Sequence, residues 1–188
     1  MELSDRTYPA GETATNNRRD DGLTIPEELP ILPLTNTVAF PLTVLPLVVQ
    51  KPRSVRLVDD AVVADRLVAL VALRDASVED PQPSDVHRVG TLALIHRLAR
   101  SPDGTLHIIV QGLERVRLEE FTQREPYMRA HVEAHPDVTE EGVEIEALVR
   151  STAESFRRLV SLAAYLPEDV ISNVLDTDDP RQLAYMVA

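Results

Sequence analysis

One lysine, five histidines and no cysteine set the first limits on what chemistry this chain performs. A phosphate-binding loop needs a glycine-rich turn and a lysine that reaches the phosphates. Lys51 is the sole lysine, and it stands in Gln50-Lys51-Pro52, outside any glycine-rich stretch. A Ser–Lys dyad would need the same amine held neutral by desolvation. The flanking residues read instead as a solvated turn between a strand and a helix. The histidines are His87, His96, His107, His131 and His135. Composition leaves a Ser–His–acid triad open, yet no serine sits in a Gly-x-Ser-x-Gly elbow. His131 and His135 are four apart, but Pro136 and a strand-like pattern oppose a shared helical face. All five read as surface or structural histidines. The expectation is no catalytic residue, no metal ligand and no cofactor site.

Charge narrows the partners. Glu79-Asp80-Pro81 lacks the oxygen-ligand spacing of a calcium loop and reads as a solvated acidic loop. Arg115 and Arg117 alternate on one strand face, with Arg97 and Arg100 nearby in sequence. Such a strip suits RNA, but interleaved Glu114, Glu119 and Glu120 make it a mixed face. The net charge of −12 repels a phosphate backbone, and 4% aromatics without tryptophan supply few stacking platforms. Nucleic acid is not the expected partner. The remaining candidate is apolar. Phe40-Pro41-Leu42-Thr43-Val44-Leu45 either fills a core or forms an exposed patch that catches unfolded segments. The candidate substrate-binding residues are Phe40, Pro41, Leu42 and Leu45, with Leu98 at a hairpin end.

These residues must be positioned by a strand-rich scaffold. The 188 residues are 44% hydrophobic and 27% charged, enough for one compact domain and an appendage. Residues 1–28 are polar and read as a flexible leader. Leu29–Leu34 is a short strand whose two prolines predict an edge or irregular strand. Val44–Val49 is a second, interrupted by Pro46. Pro52 suits the first turn of a helix, in which Val55, Val58, Ala61 and Val62 recur at helical spacing. Leu67–Leu73 is a continuous apolar run, expected to be buried on both faces. Val86–Arg100 and Leu106–Val110 flank Ser101-Pro102-Asp103-Gly104, a turn in which Gly accepts positive φ. Gly112 marks a bulge, Val116 and Leu118 alternate with charged residues, and Tyr127–Glu133 is a last strand. Residues 29–135 thus predict an α+β domain: a small, partly closed barrel with one helix.

From residue 136 to 188 the pattern turns helical. Ile145, Leu148, Val149, Thr152, Phe156, Leu159 and Val160 follow one helical face, with Thr139 as candidate N-cap. Pro167 opens a second short helix through about Leu175, and Asp179-Pro180 opens a third. That helix runs to Ala188 without a stop signal, so the natural chain is expected to continue. No apolar run nears the roughly 18 residues of a membrane helix, and no signal-peptide core is seen. With cysteine absent, these features point to the cytoplasm.

In order and spacing, the chain resembles the N-terminal domain of Lon-type ATP-dependent proteases. The resemblance starts at Leu29-Pro30-Ile31-Leu32-Pro33-Leu34-Thr35-Asn36-Thr37-Val38-Ala39-Phe40-Pro41. Pro46-Leu47-Val48-Val49, Ser54, Val58 and Leu70-Val71-Ala72-Leu73-Arg74-Asp75 continue it. Asp80-Pro81, Val89-Gly90-Thr91, Pro102-Asp103-Gly104-Thr105 and Gln111-Gly112-Leu113-Glu114-Arg115 follow. Pro126-Tyr127 and Ala130-His131-Val132-Glu133 close it, and Asp178-Asp179-Pro180 matches more loosely. The chain departs at Thr35, where the family usually has Arg, and at Gln50-Lys51-Pro52, where Gly-Arg is usual. The resemblance implies a PUA-like pseudo-barrel followed by a helical bundle. It implies a homo-hexameric serine protease whose ATPase, using ATP and Mg, and Ser–Lys domains lie downstream. It further implies that this region recognises unfolded or damaged proteins in protein quality control and stress response. Two alternatives stand beside it: a stand-alone Lon-N-like adaptor or ligand binder, and a PUA-like RNA binder.

Overall fold

The computed structural model describes residues 25–138, 142–162 and 179–187. The strands are β1 (Glu28–Leu34), β2 (Val44–Val49), β3 (Leu67–Ala72), β4 (Val89–Arg100), β5 (Leu106–Gln123) and β6 (Arg129–Ala134). Helix α1 (Pro52–Val63) lies between β2 and β3, and α2 (Val143–Leu162) and α3 (Pro180–Val187) follow the strands. The expected N-cap Thr139, the expected helix from Pro167 and most of the expected leader lie outside the described residues.

The sheet order is β2-β5-β4-β3-β1-β6, and β6 also pairs with β5. That pairing closes the sheet on itself, because β5 is long enough to serve two neighbours on one edge. Its first part, Leu106–Gln111, pairs with β2, and its second part, Val116–Gln123, pairs with β6. The result is the expected α+β pseudo-barrel, with β2 as an extension.

Of the two readings its prolines allowed, β1 is not an edge strand. It lies between two neighbours, pairing through residues 28–30 with β6 and through 31–34 in parallel with β3. Each proline removes one donor from a ladder only a few residues long, so neither neighbour is lost. The proline that does mark an edge is Pro46, since β2 pairs with β5 alone. Ile25, inside the expected leader, is buried and joins the core.

Strand β3 carries the expected two-faced burial. Val68 and Leu70 join one core cluster with Leu57 and Val58 of α1, whereas Ala69 and Val71 join a second with Leu92 and Val116. Each fully buried Leu, Ile or Val contributes about 1.5–3 kcal/mol, so this strand ties both cores together. The turn after β4 also forms as expected: Gly104 has φ 87° and donates its N–H to the Ser101 carbonyl at 3.0 Å. Helix α1 starts at Pro52. Its buried face adds Leu57, which the spacing did not single out.

The helical segment behaves differently. None of the residues of α2 is buried, and Leu148 and Leu159 are more than half exposed. Its apolar stripe is only partly covered among the described residues. Helix α3 is anchored: Leu183 is buried, and Asp179 caps the helix by accepting the Arg181 N–H at 2.8 Å.

Candidate functional site

The 39–45 segment is built by crossing over β5. Thr91 is buried and its hydroxyl donates to the Ala39 carbonyl at 2.7 Å. The Thr43 hydroxyl donates to the Phe40 carbonyl at 2.7 Å. The Leu42 N–H reaches the Gly112 carbonyl at 3.0 Å, and the Gly112 N–H reaches the Thr43 carbonyl at 2.8 Å. A Cβ on Gly112 would stand 2.1 Å from the Phe40 carbonyl oxygen, so only glycine fits beneath the crossing. The β4–β5 register shifts at this point, between Leu92 and Ala93. Leu42 adopts φ 63°, a left-handed conformation that is rare without glycine. Four bonds hold it there, so the loop is a rigid platform.

This geometry divides the sequence candidates. Phe40 is half-buried, and its ring stacks on Tyr185 of α3 with centroids 5.3 Å apart. Pro41 is buried. Both lie where α3 docks on the barrel. Leu42 stays 45% exposed, and Leu45 is half-buried against the first core cluster. Leu98 is 36% exposed and lines a different groove, together with Pro46, Leu47 and Val48. The segment is thus core-like at its start and surface-like at its end.

The binding residues singled out from the sequence leave out three exposed apolar residues nearby. Val44 and Val48 are each 60% exposed on β2, and Ile109, opposite Pro46, is 36% exposed. The signal was the alternation of Val44-Leu45-Pro46-Leu47-Val48, which turns every second residue outward. Val44, Pro46 and Val48 therefore share one face of an edge strand. Pro46 also limits runaway pairing along that edge, because it has no N–H to offer another strand.

The docking of α3 rests on a polar cluster as well as the ring stack. Asp137 accepts from the Tyr185 hydroxyl and pairs with Arg115 at 2.8 Å. Arg115 also donates to the His135 carbonyl at 3.1 Å. Burial, followed by the hydrogen bond to Asp137, pushes Tyr185 from its ordinary 10 up to about 12. The folded state therefore favours the neutral phenol. Stability from this contact is fully present below pH 10 and is lost as pH rises towards 12. In an ultraviolet tyrosinate titration, the highest step should vanish in Tyr185→Phe. Ionisation of Tyr185 together with an unperturbed tyrosine would rule out the docked phenol.

Other chemistry-bearing groups serve structure. The lone lysine, Lys51, donates to the Glu79 carbonyl at 2.7 Å, and Arg53 pairs with Asp80 and Glu125. The acidic loop is thereby tied to the start of α1. Arg117 pairs with Glu119 at 3.0 Å, in keeping with a mixed face. His96 contacts Gln111 at 2.6 Å. No group of three or more His, Asp or Glu that could hold a metal occurs among the described residues. Nor is any described helix long and apolar enough to cross a membrane.

Residues 28–188 match the family model described as the ATP-dependent protease La (LON) substrate-binding domain. The chain is 42% identical over 164 residues to a Lon protease of Dictyoglomus thermophilum, covering 87% of this chain and 21% of that protein. It is 41% identical over 170 residues to Lon protease 1 of Herpetosiphon aurantiacus, covering 88% and 21% respectively. The chain thus spans about a fifth of the length of these curated relatives. Among solved structures, its fold is similar to the N-terminal domain of a Mycobacterium avium complex Lon protease, with TM-score 0.58 and 18% identity. That match covers 85% of this chain and 96% of the other. A Lon N-terminal domain protein from Xanthomonas campestris matches with TM-score 0.54 and 22% identity, over 85% and 96%.

Proposed function

This chain belongs to the family of Lon protease substrate-binding domains, and from that premise we propose that it captures unfolded protein segments on an exposed apolar surface. The captured segments pass to ATPase and Ser–Lys peptidase domains elsewhere in a longer protease, where ATP and Mg act. The observation that carries this reading is the outward face of β2. Val44 and Val48 are each 60% exposed, Leu42 is 45% exposed, and the loop that leads into the strand is rigidly bonded. A fixed apolar surface binds an extended segment without first having to order itself. It discriminates by exposure, because a folded protein hides the residues that would meet it.

Binding at one such surface is weak, since few side chains are buried on each contact. Several copies in a homo-hexamer raise the effective affinity, because a long unfolded chain engages more than one of them. The domain itself performs no bond cleavage in this reading: it selects, and the rest of the protein acts.

The test is a titration of the domain with a permanently unfolded model protein and with the same protein in its folded form. Saturable binding of the unfolded form, at micromolar concentrations or above, is expected, with none of the folded form. Equal binding of the two forms, or of neither, would refute the proposal.

A further inference from the structure

The surface groove that contains Leu98 differs from the molecule as a whole in its charge. The chain carries a net charge of −12, yet the lining of this groove includes Arg66, His96, Arg97 and His107 and no Asp or Glu. Its apolar part includes Leu47 of β2, Val62 of α1 and Leu98 of β4. The volume is about 670 Å³, room for several side chains of an extended peptide.

The two arginines are available. Arg53, Arg100, Arg115, Arg117 and Arg129 all have carboxylate partners. Arg66 and Arg97 have no ion-pair partner among the described residues. Both are also fixed by the backbone. Arg66 sits at φ 63°, with its N–H on the Ala61 carbonyl and its carbonyl accepting the Ile95 N–H, each at 2.9 Å. Arg97 follows a register break between Ile95 and Arg97, where β4 takes an extra residue against β5. A bulge of this kind re-aims the side chains beside it. Here the consecutive residues His96, Arg97 and Leu98 all contribute to one groove.

We infer that this groove binds extended apolar segments that carry carboxylates beside their apolar residues, with Arg66 and Arg97 as the specificity-determining groups. The inference rests on the proposal that the domain binds unfolded protein, and it adds which segments bind and where. An apolar floor attracts without regard to charge. Two unpaired guanidiniums at its rim add a bidentate, directional preference for carboxylate and repel lysine. The acidic surface elsewhere opposes acidic peptides at long range, so the preference must arise locally in the groove.

The test uses three fluorescent peptides with one apolar core, flanked by Asp, by Asn or by Lys. Each is titrated by anisotropy against the wild-type chain, the Arg66→Ala/Arg97→Ala double variant and Arg97→Glu. The single variant lies on the surface and guards against loss of folding at the strained position 66. The Asp-flanked peptide should bind about tenfold more tightly than the Lys-flanked one. The double variant should abolish that difference, and Arg97→Glu should reverse it. Equal affinities for the three peptides, with the unfolded model protein still bound, would overturn the inference and leave the broader proposal standing. A charge preference that survives both variants would overturn it too. Failure of the peptides and of the unfolded protein together would remove both.

Discussion

Replacing Gly112 with alanine is expected to destabilise the domain by about 3 kcal/mol or more, at the extreme of single substitutions. The added methyl would sit 2.1 Å from the Phe40 carbonyl oxygen and 3.0 Å from its carbon. Both are backbone atoms, so no rotamer change relieves the clash. The Phe40 segment cannot lift away cheaply either. It is held by the Thr91 and Thr43 hydroxyls and by the paired Leu42 and Gly112 backbone bonds. Breaking one buried hydrogen bond costs about 1–3 kcal/mol. Gly104→Ala provides the contrast. A Cβ there meets nothing within 4 Å, so only the φ of 87° is penalised, at about 1–2 kcal/mol. Denaturant unfolding of the two variants measures the difference. A loss at Gly112 no larger than that at Gly104 would mean that the Phe40 segment does not cross there.

The triple variant Leu42→Ser, Val44→Ser and Val48→Ser should keep its fold and lose at least about tenfold in affinity for unfolded protein. All three residues are 45% exposed or more, so their replacement removes little from the core. If each contributes about 0.5–1 kcal/mol on contact with a substrate, the sum exceeds the tenfold threshold. Phe40→Ser is a different substitution. Its ring stacks on Tyr185, so its loss should loosen α3 from the barrel before it alters any surface. Unfolding and binding curves recorded on both variants separate these roles. Unchanged binding in the triple variant would sink the assignment of the β2 face.

Much of the scaffold was legible because local pattern and final environment agree. The apolar run Leu67–Leu73 has no polar face, and its strand ends with no solvated face. Pro52 and Asp179-Pro180 carry their helix starts in their own backbone and side-chain chemistry. The failures share a cause: periodicity marks a face and does not name what covers it. Phe40 reads as a possible patch until Tyr185, far along the chain, is found against it. The stripe on α2 reads as one helical face, and none of its residues is buried. β1 reads as an edge or irregular strand because of its prolines, yet two neighbours divide the strand between them. Val44 and Val48 are legible as outward positions from the alternation of β2, which Pro46 interrupts.

The most direct measurement is amide chemical-shift mapping of the chain as an unfolded model protein is added. Perturbations should gather on Leu42–Val48, Leu98 and Ile109 and grow to saturation together. Saturable perturbations that leave this face unchanged and fall on the start of α1 or on α3 would contradict capture by the outward face of β2.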